Sequence, residues 1–168
     1  MNISGRGVLP FLHQSGTRNS RQYIVLCAVA VLSGGLIYIL FHASEPLFFR
    51  WMRAAGTDHW LGFIRNKSLS LGTHLPEWIV YSLPGGLWAF AYALMITAIW
   101  SGSRSLLKIF WMASIPLLVF GSEFLQFLQI IPGTFCLQDI ALGTAGMISG
   151  IALIYFKTKS IDYEKATS

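Results

Sequence analysis

Four long apolar runs organise the chain: Tyr23 to Phe41, Trp78 to Trp100, Ile109 to Ile131 and Ile140 to Phe156. A membrane helix needs ~20 mostly apolar residues to cross ~30 Å of hydrocarbon, and these runs are of that order. Within each run the apolar residues are continuous, whereas the strands of a barrel would alternate. The pattern therefore predicts four transmembrane helices. The first run is uncharged and longer than the ~7–15 residues usual in a signal peptide, so it reads as an uncleaved signal anchor.

Local signals refine these elements. Pro84-Gly85-Gly86 interrupts the second run near its outer end. Proline lacks a backbone donor and suits a first helical turn, so the helix proper is predicted to begin around Pro84, with Tyr81 and Ser82 in a preceding bend. Trp78, Trp88 and Trp100 read as belt or packing residues. The fourth run carries Gly143, Gly146 and Gly150, of which Gly146 and Gly150 form a GxxxG pair. Small residues let another helix approach closely, and the third run is the expected partner. The long first loop, His42 to Glu77, sets Leu47, Phe48, Phe49, Trp51 and Met52 around Arg50 and Arg53, and later carries Trp60, Leu61, Phe63 and Ile64. Short helices lying in the outer interface are expected there, packed as a lid or presented as a contact surface. The predicted fold class is all-α: an integral membrane bundle of four helices, 23–41, 78–100, 109–131 and 140–156. Residues 1–22 form a flexible tail in this reading, and residues 157–168 a second tail.

Composition agrees with that placement. Of 168 residues, 54% are hydrophobic and 11% charged, against about 25% charged in an average soluble domain. Disorder is excluded by the low charge and by the 12 Phe, 6 Trp and 6 Tyr. Only Cys27 and Cys136 are present, too few for a disulfide scaffold. The placement of basic residues sets the orientation. Arg6, Arg18, Arg21, Arg104, Lys108, Lys157, Lys159 and Lys165 fall on one side of a four-span chain, and Arg50, Arg53, Arg65 and Lys67 on the other. Eight against four puts both termini in the cytoplasm. The net charge of +5 then serves topology, and no nucleic-acid partner is expected.

Candidate chemistry is confined to one stretch, Gly121 to Gly150. At ~100° per residue, Ser122, Glu123, Gln126 and Gln129 occupy about a third of a helix circumference, opposite Phe124, Leu125, Phe127 and Leu128. Glu123 is the only acidic residue inside a predicted span, ~12 Å below its end at Ile131. An intramembrane carboxyl is a functional candidate by default. It also serves as interhelical glue when protonated, as Gln126 does with its amide. Pro132-Gly133 is the expected terminator of the third helix, and Asp139 the expected start of the fourth. Asp139 there either caps free amides or lines a site, and the two roles are compatible. Glu123, Gln126, Gln129 and Asp139 are the candidate binding residues, and Glu123 and Asp139 the candidates for any catalysis. No HExxH, GxSxG, Walker A or CxxC motif occurs. His13, His42, His59 and His74 are scattered without metal-site spacing, so neither a metal nor another cofactor is expected.

These residues resemble the VanZ-like family of small bacterial multi-span membrane proteins. The resemblance rests on Glu123, on Gln126 three residues later, on the Pro132-Gly133 turn, on Asp139-Ile140, and on Gly146 and Gly150 in the last helix. Leu83-Pro84-Gly85-Gly86-Leu87-Trp88 resembles a segment found in a subset of such proteins. Thr134 and Gly143 stand where many members carry Arg and Asn, so only Glu123, Gln126 and Asp139 are carried over. The resemblance implies a bacterial cytoplasmic-membrane protein of the cell envelope. Three functions are compatible with it. One is a non-enzymatic protein whose outward-facing polar pocket holds a lipid-linked or envelope-derived group. Another is an intramembrane enzyme using Glu123 and Asp139 on a lipid or prenyl-linked substrate. The third is a subunit of an envelope polysaccharide or export complex, with a second membrane protein as partner.

Overall fold

The computed structural model describes residues 17–41, 54, 56, 75–131 and 133–167. The expected interfacial helices of the first loop, its arginines and histidines, residues 1–16 of the tail, and Pro132 lie outside the described residues. Five helices are described: α1 (Thr17–Phe41), α2 (Glu77–Val80), α3 (Leu83–Trp100), α4 (Leu106–Phe127) and α5 (Leu137–Thr167). Among the described residues there is no strand. Ser20–Phe41, Leu83–Trp100, Leu106–Phe127 and Leu137–Lys157 are each long and apolar enough to cross a membrane, as the pattern of apolar runs predicts. Leu32, Leu117 and Phe124 are largely exposed on the outside of the bundle, where lipid rather than water suits them.

Helix α3 is the hub. It packs against α1, α4 and α5, most extensively against α5. Buried residues make up 44% of its span, against 22% or less in the others. A helix apolar on all sides belongs in the middle of a bundle. Ala93 and Ile96 meet Ile115 of α4 on one side, flanked by Met147 and Ile151 of α5. Leu94 and Ala98 meet Ile154 on another, flanked by Tyr23 and Cys27 of α1.

Small residues decide which helices touch. A methyl group added to Gly150 would lie 2.7 Å from the Phe90 carbonyl oxygen and 2.9 Å from the Leu94 nitrogen, and one on Gly146 would collide with the Gly86 carbonyl. The glycine face of the last helix therefore packs on α3, which corrects the expectation of a third-span partner. Only Gly143 meets α4, where a methyl group would sit 2.9 Å from Val119 Cγ1. The reason lies in the partner. Helix α3 presents Gly86 and Ala93 at the crossing, and backbones approach closely only where both sides are small.

Other contacts tie α1 into the bundle. Trp88 Nε1 donates to the Val31 carbonyl at 3.4 Å, and Cys27 Sγ to the Ala91 carbonyl at 3.4 Å. At the far end, Lys157 Nζ donates to Gln22 Oε1 at 2.7 Å and stands 5.2 Å from the centre of the Tyr23 ring. The start of α1 and the end of the α5 span are thus side by side.

Helix boundaries follow local chemistry. Pro84 sits in the first turn of α3, after a turn at Tyr81 and Ser82, as its sequence predicts. Residues 78–80 belong to the separate short α2, so the second span is shorter than the apolar run. Ser105 caps α4 by accepting from the Leu107 amide at 3.2 Å. The last helix starts at Leu137 and continues as far as Thr167, through what the sequence suggests is a separate tail.

Candidate functional site

The third span does not end where its apolar run does. Helix α4 stops at Phe127, and the Gln129 amide bonds the Gln126 carbonyl at 2.9 Å while the Ile130 amide bonds the Leu125 carbonyl at 2.9 Å. This pair of bonds is a Schellman cap, whose turning residue adopts a left-handed conformation. Here that residue is Gln129, with φ of 57°. The helix thus ends before Pro132-Gly133, and Gln129 leaves the polar stripe for the exposed turn. That is a correction to its expected place beside Glu123. Glu123 is now four residues from the helix end, about 6 Å along the axis.

The connector then folds back over α4. Gly133 has φ of 139°, and a methyl group there would lie 2.7 Å from Gln126 Nε2. Gln126 therefore lies beneath Gly133, its Oε1 buried without a hydrogen-bond partner. Phe135 packs edge-on against Phe127, ring centres 5.6 Å apart. The Cys136 amide donates to Glu123 Oε2 at 3.4 Å. The Cys136 carbonyl in turn accepts from the Asp139 and Ile140 amides at 3.1 and 3.4 Å. Cys136 is accordingly the residue that opens α5, and Asp139 is the third residue of the helix rather than its cap. The Asp139 Oδ1 atom is buried and has no hydrogen-bond partner.

Glu123 and Asp139 come together on the wall of one cavity, of about 480 Å³. That volume falls within the ~300–1,000 Å³ of small-molecule sites. All four long helices contribute: Tyr38 from α1, Trp88 and Tyr92 from α3, Ser122 and Glu123 from α4, and Asp139 and Gly143 from α5, with Tyr81 and Ser82 from the bend before α3. Glu123 is only 7% exposed, and Ser82 is buried beside the same space. Neither Gln126 nor Gln129 is among the lining residues. Among the described residues no basic side chain lines the cavity.

A second, apolar depression of about 690 Å³ lies on the outer flank of α4, lined by Leu117, Phe120, Phe124 and Phe127 with Phe135 and Ile140. Glu123 also borders it. The carboxyl thus borders both a half-open cavity that contains the bundle's polar side chains and a more apolar groove on the flank of α4.

The aromatic walls of the chamber were not singled out by sequence reasoning. Trp88, read as belt or packing, does pack on α1, but it also lines the cavity, 5.8 Å from the Tyr38 ring centre. Tyr92 lies mid-span, and its hydroxyl meets Ser114 Oγ at 2.7 Å. A hydroxyl at membrane depth needs such a partner, and that requirement is the signal that marks Tyr92 as facing inward. Among the described residues no group of three or more His, Cys, Asp or Glu side chains is placed to hold a metal ion. Cys27 and Cys136 are free thiols. Comparison with protein-family profiles, with curated proteins and with solved structures returns no match for this chain.

Proposed function

We propose that this chain is a non-enzymatic, VanZ-like protein of the bacterial cytoplasmic membrane, whose polar chamber holds the head of a lipid-linked or envelope-derived amphiphile. One observation carries the reading: Glu123 borders both the polar chamber and the apolar groove on the flank of α4. A molecule with a polar head and an apolar chain needs those two environments side by side. Both termini are cytoplasmic in this reading, and the chamber opens outward. The contact between Gln22 and Lys157 supports a common side for the two ends. Arg104 and Lys108 lie at the α3–α4 end, opposite the connector that carries Cys136, and lysines and arginines favour the cytoplasmic side.

The test is retention of lipid. Wild-type protein and the double variant Glu123→Gln, Asp139→Asn are purified in detergent from the same membranes and compared by native mass spectrometry. A bound amphiphile on the wild type that is depleted on the variant supports the pocket. Equal lipid on both proteins overturns it.

The sharing of one cavity by two carboxyls also favours a second reading, acid–base chemistry on a lipid or prenyl-linked substrate. The same membranes distinguish it. A catalyst converts a membrane lipid to a product of different mass in the presence of wild type and not of Glu123→Gln, whereas a binding protein leaves the lipid unchanged.

A further inference from the structure

We infer that the chamber selects a cationic head group, an amine or quaternary ammonium carried on a single apolar chain. The inference rests on the amphiphile reading and names the chemistry of its ligand. Three observations carry it.

The first is the charge on the walls. Two carboxyl side chains, Glu123 and Asp139, line the cavity, and none of its described lining residues is basic. A phosphate, sulfate or carboxylate head would meet two carboxyl groups and, among the described lining residues, no basic side chain to balance its charge. Asp139 occupies the first turn of α5, where the helix dipole favours a negative charge. Its Oδ1 is buried and has no hydrogen-bond partner among the described residues, while the residue itself lines this cavity.

The second is the aromatic content of the walls. Tyr38, Tyr81, Trp88 and Tyr92 line the same cavity as the carboxyls, from three separate segments of the chain. Tyrosine and tryptophan rings attract cations through the negative potential of their faces, and such cages are a recurrent device for quaternary ammonium groups. A pocket for an uncharged sugar would be expected to offer side-chain amides, yet Gln126 is turned away beneath Gly133.

The third is the route. The groove bordered by Phe120, Phe124 and Phe127 adjoins Glu123 from the lipid side. A single chain lying there leaves the head at the carboxyl. The preference runs against the protein as a whole, whose net charge of +5 favours anions. A measured preference for a cation therefore reports on the chamber and not on the surface.

Three probes of equal chain length separate the possibilities: dodecyltrimethylammonium, dodecyl phosphate and dodecanol. Each is added to the full-length protein in dodecylmaltoside, and occupancy is read by native mass spectrometry. Dodecyltrimethylammonium is expected to bind about tenfold or more tightly than either competitor, and Glu123→Gln, Asp139→Asn to remove most of that advantage. Tyr81→Leu is expected to weaken the same probe by a smaller factor, which gives a second readout should the double variant fail to fold. Tighter binding of dodecyl phosphate overturns the cation assignment while leaving an amphiphile pocket standing. Equal binding of dodecanol and the ammonium overturns any role for head-group charge. No binding of any probe overturns both this inference and the reading on which it rests.

Discussion

The Cys136 amide donates a hydrogen bond to Glu123 Oε2, so the intramembrane carboxyl holds the residue just before the last helix against the end of the helix before it. Glu123 is therefore a structural link and a cavity wall at once. The two roles are separable, because a carboxamide keeps an acceptor for the Cys136 amide but carries no charge. Glu123→Gln is expected to unfold within about 1 kcal/mol of wild type, whereas Glu123→Leu removes the acceptor of the part-buried Cys136 amide and loses about 1–3 kcal/mol. Thermal unfolding in detergent checks this. Equal destabilisation by both would remove the hydrogen bond from the account.

Gln129 turns the end of α4 with φ of 57°, in a conformation that usually belongs to glycine or asparagine. Left-handed geometry costs an ordinary residue about 1–2 kcal/mol. Gln129→Gly is expected to raise the unfolding midpoint, and Gln129→Val to lower it. Because Gln129 lies outside the cavity, neither should alter ligand retention.

Two glycines in spans should respond in opposite directions. A methyl group on Gly146 meets the Gly86 carbonyl, backbone against backbone, and Gly146→Ala is expected to lose about 1–3 kcal/mol through overpacking. A methyl group on Gly35 in α1 has nothing within 4 Å. Gly35→Ala should be neutral or gain up to about 1 kcal/mol from the greater helix propensity of alanine. Unfolding midpoints of the two variants, measured side by side, test whether the α3–α5 crossing is as close as described.

The proposed orientation assigns the two thiols to different surroundings. Cys136 is half-buried in the connector between α4 and α5, while Cys27 lies within α1 against Ala91. A membrane-impermeant maleimide added outside intact spheroplasts should label Cys27→Ser protein through Cys136 and leave Cys136→Ser protein unlabelled. Labelling of Cys136 only in inverted vesicles would reverse the topology.

Much of the architecture was legible in the chain itself. Continuous apolar runs are a property of local sequence, and lipid accepts only segments that satisfy their own backbone, so the four long helices follow from hydropathy alone. The start of α3 at Leu83-Pro84 was equally local, since proline is favoured in the first turn and the preceding residues form the bend. Glu123 was conspicuous because charge within a span is rare, and it lies buried on the wall of the cavity.

What the sequence left open depends on partners far along the chain. The end of α4 was misplaced because the turning residue is Gln129, and glutamine carries no signal for a left-handed cap. Asp139 read as a cap, yet the helix begins two residues earlier because Cys136 is held by Glu123. The glycine face of α5 was visible, but its partner was not, since close approach requires small residues on both helices and only the tertiary structure pairs Gly146 with Gly86. The aromatic walls emerged in the same way. Tyr38, Tyr81, Trp88 and Tyr92 are spread over more than fifty positions and share a chamber only because α3 sits at the centre of the bundle. Hydropathy determined that the chain forms membrane-length helices; packing of small residues around α3 decided which polar and aromatic groups face one another.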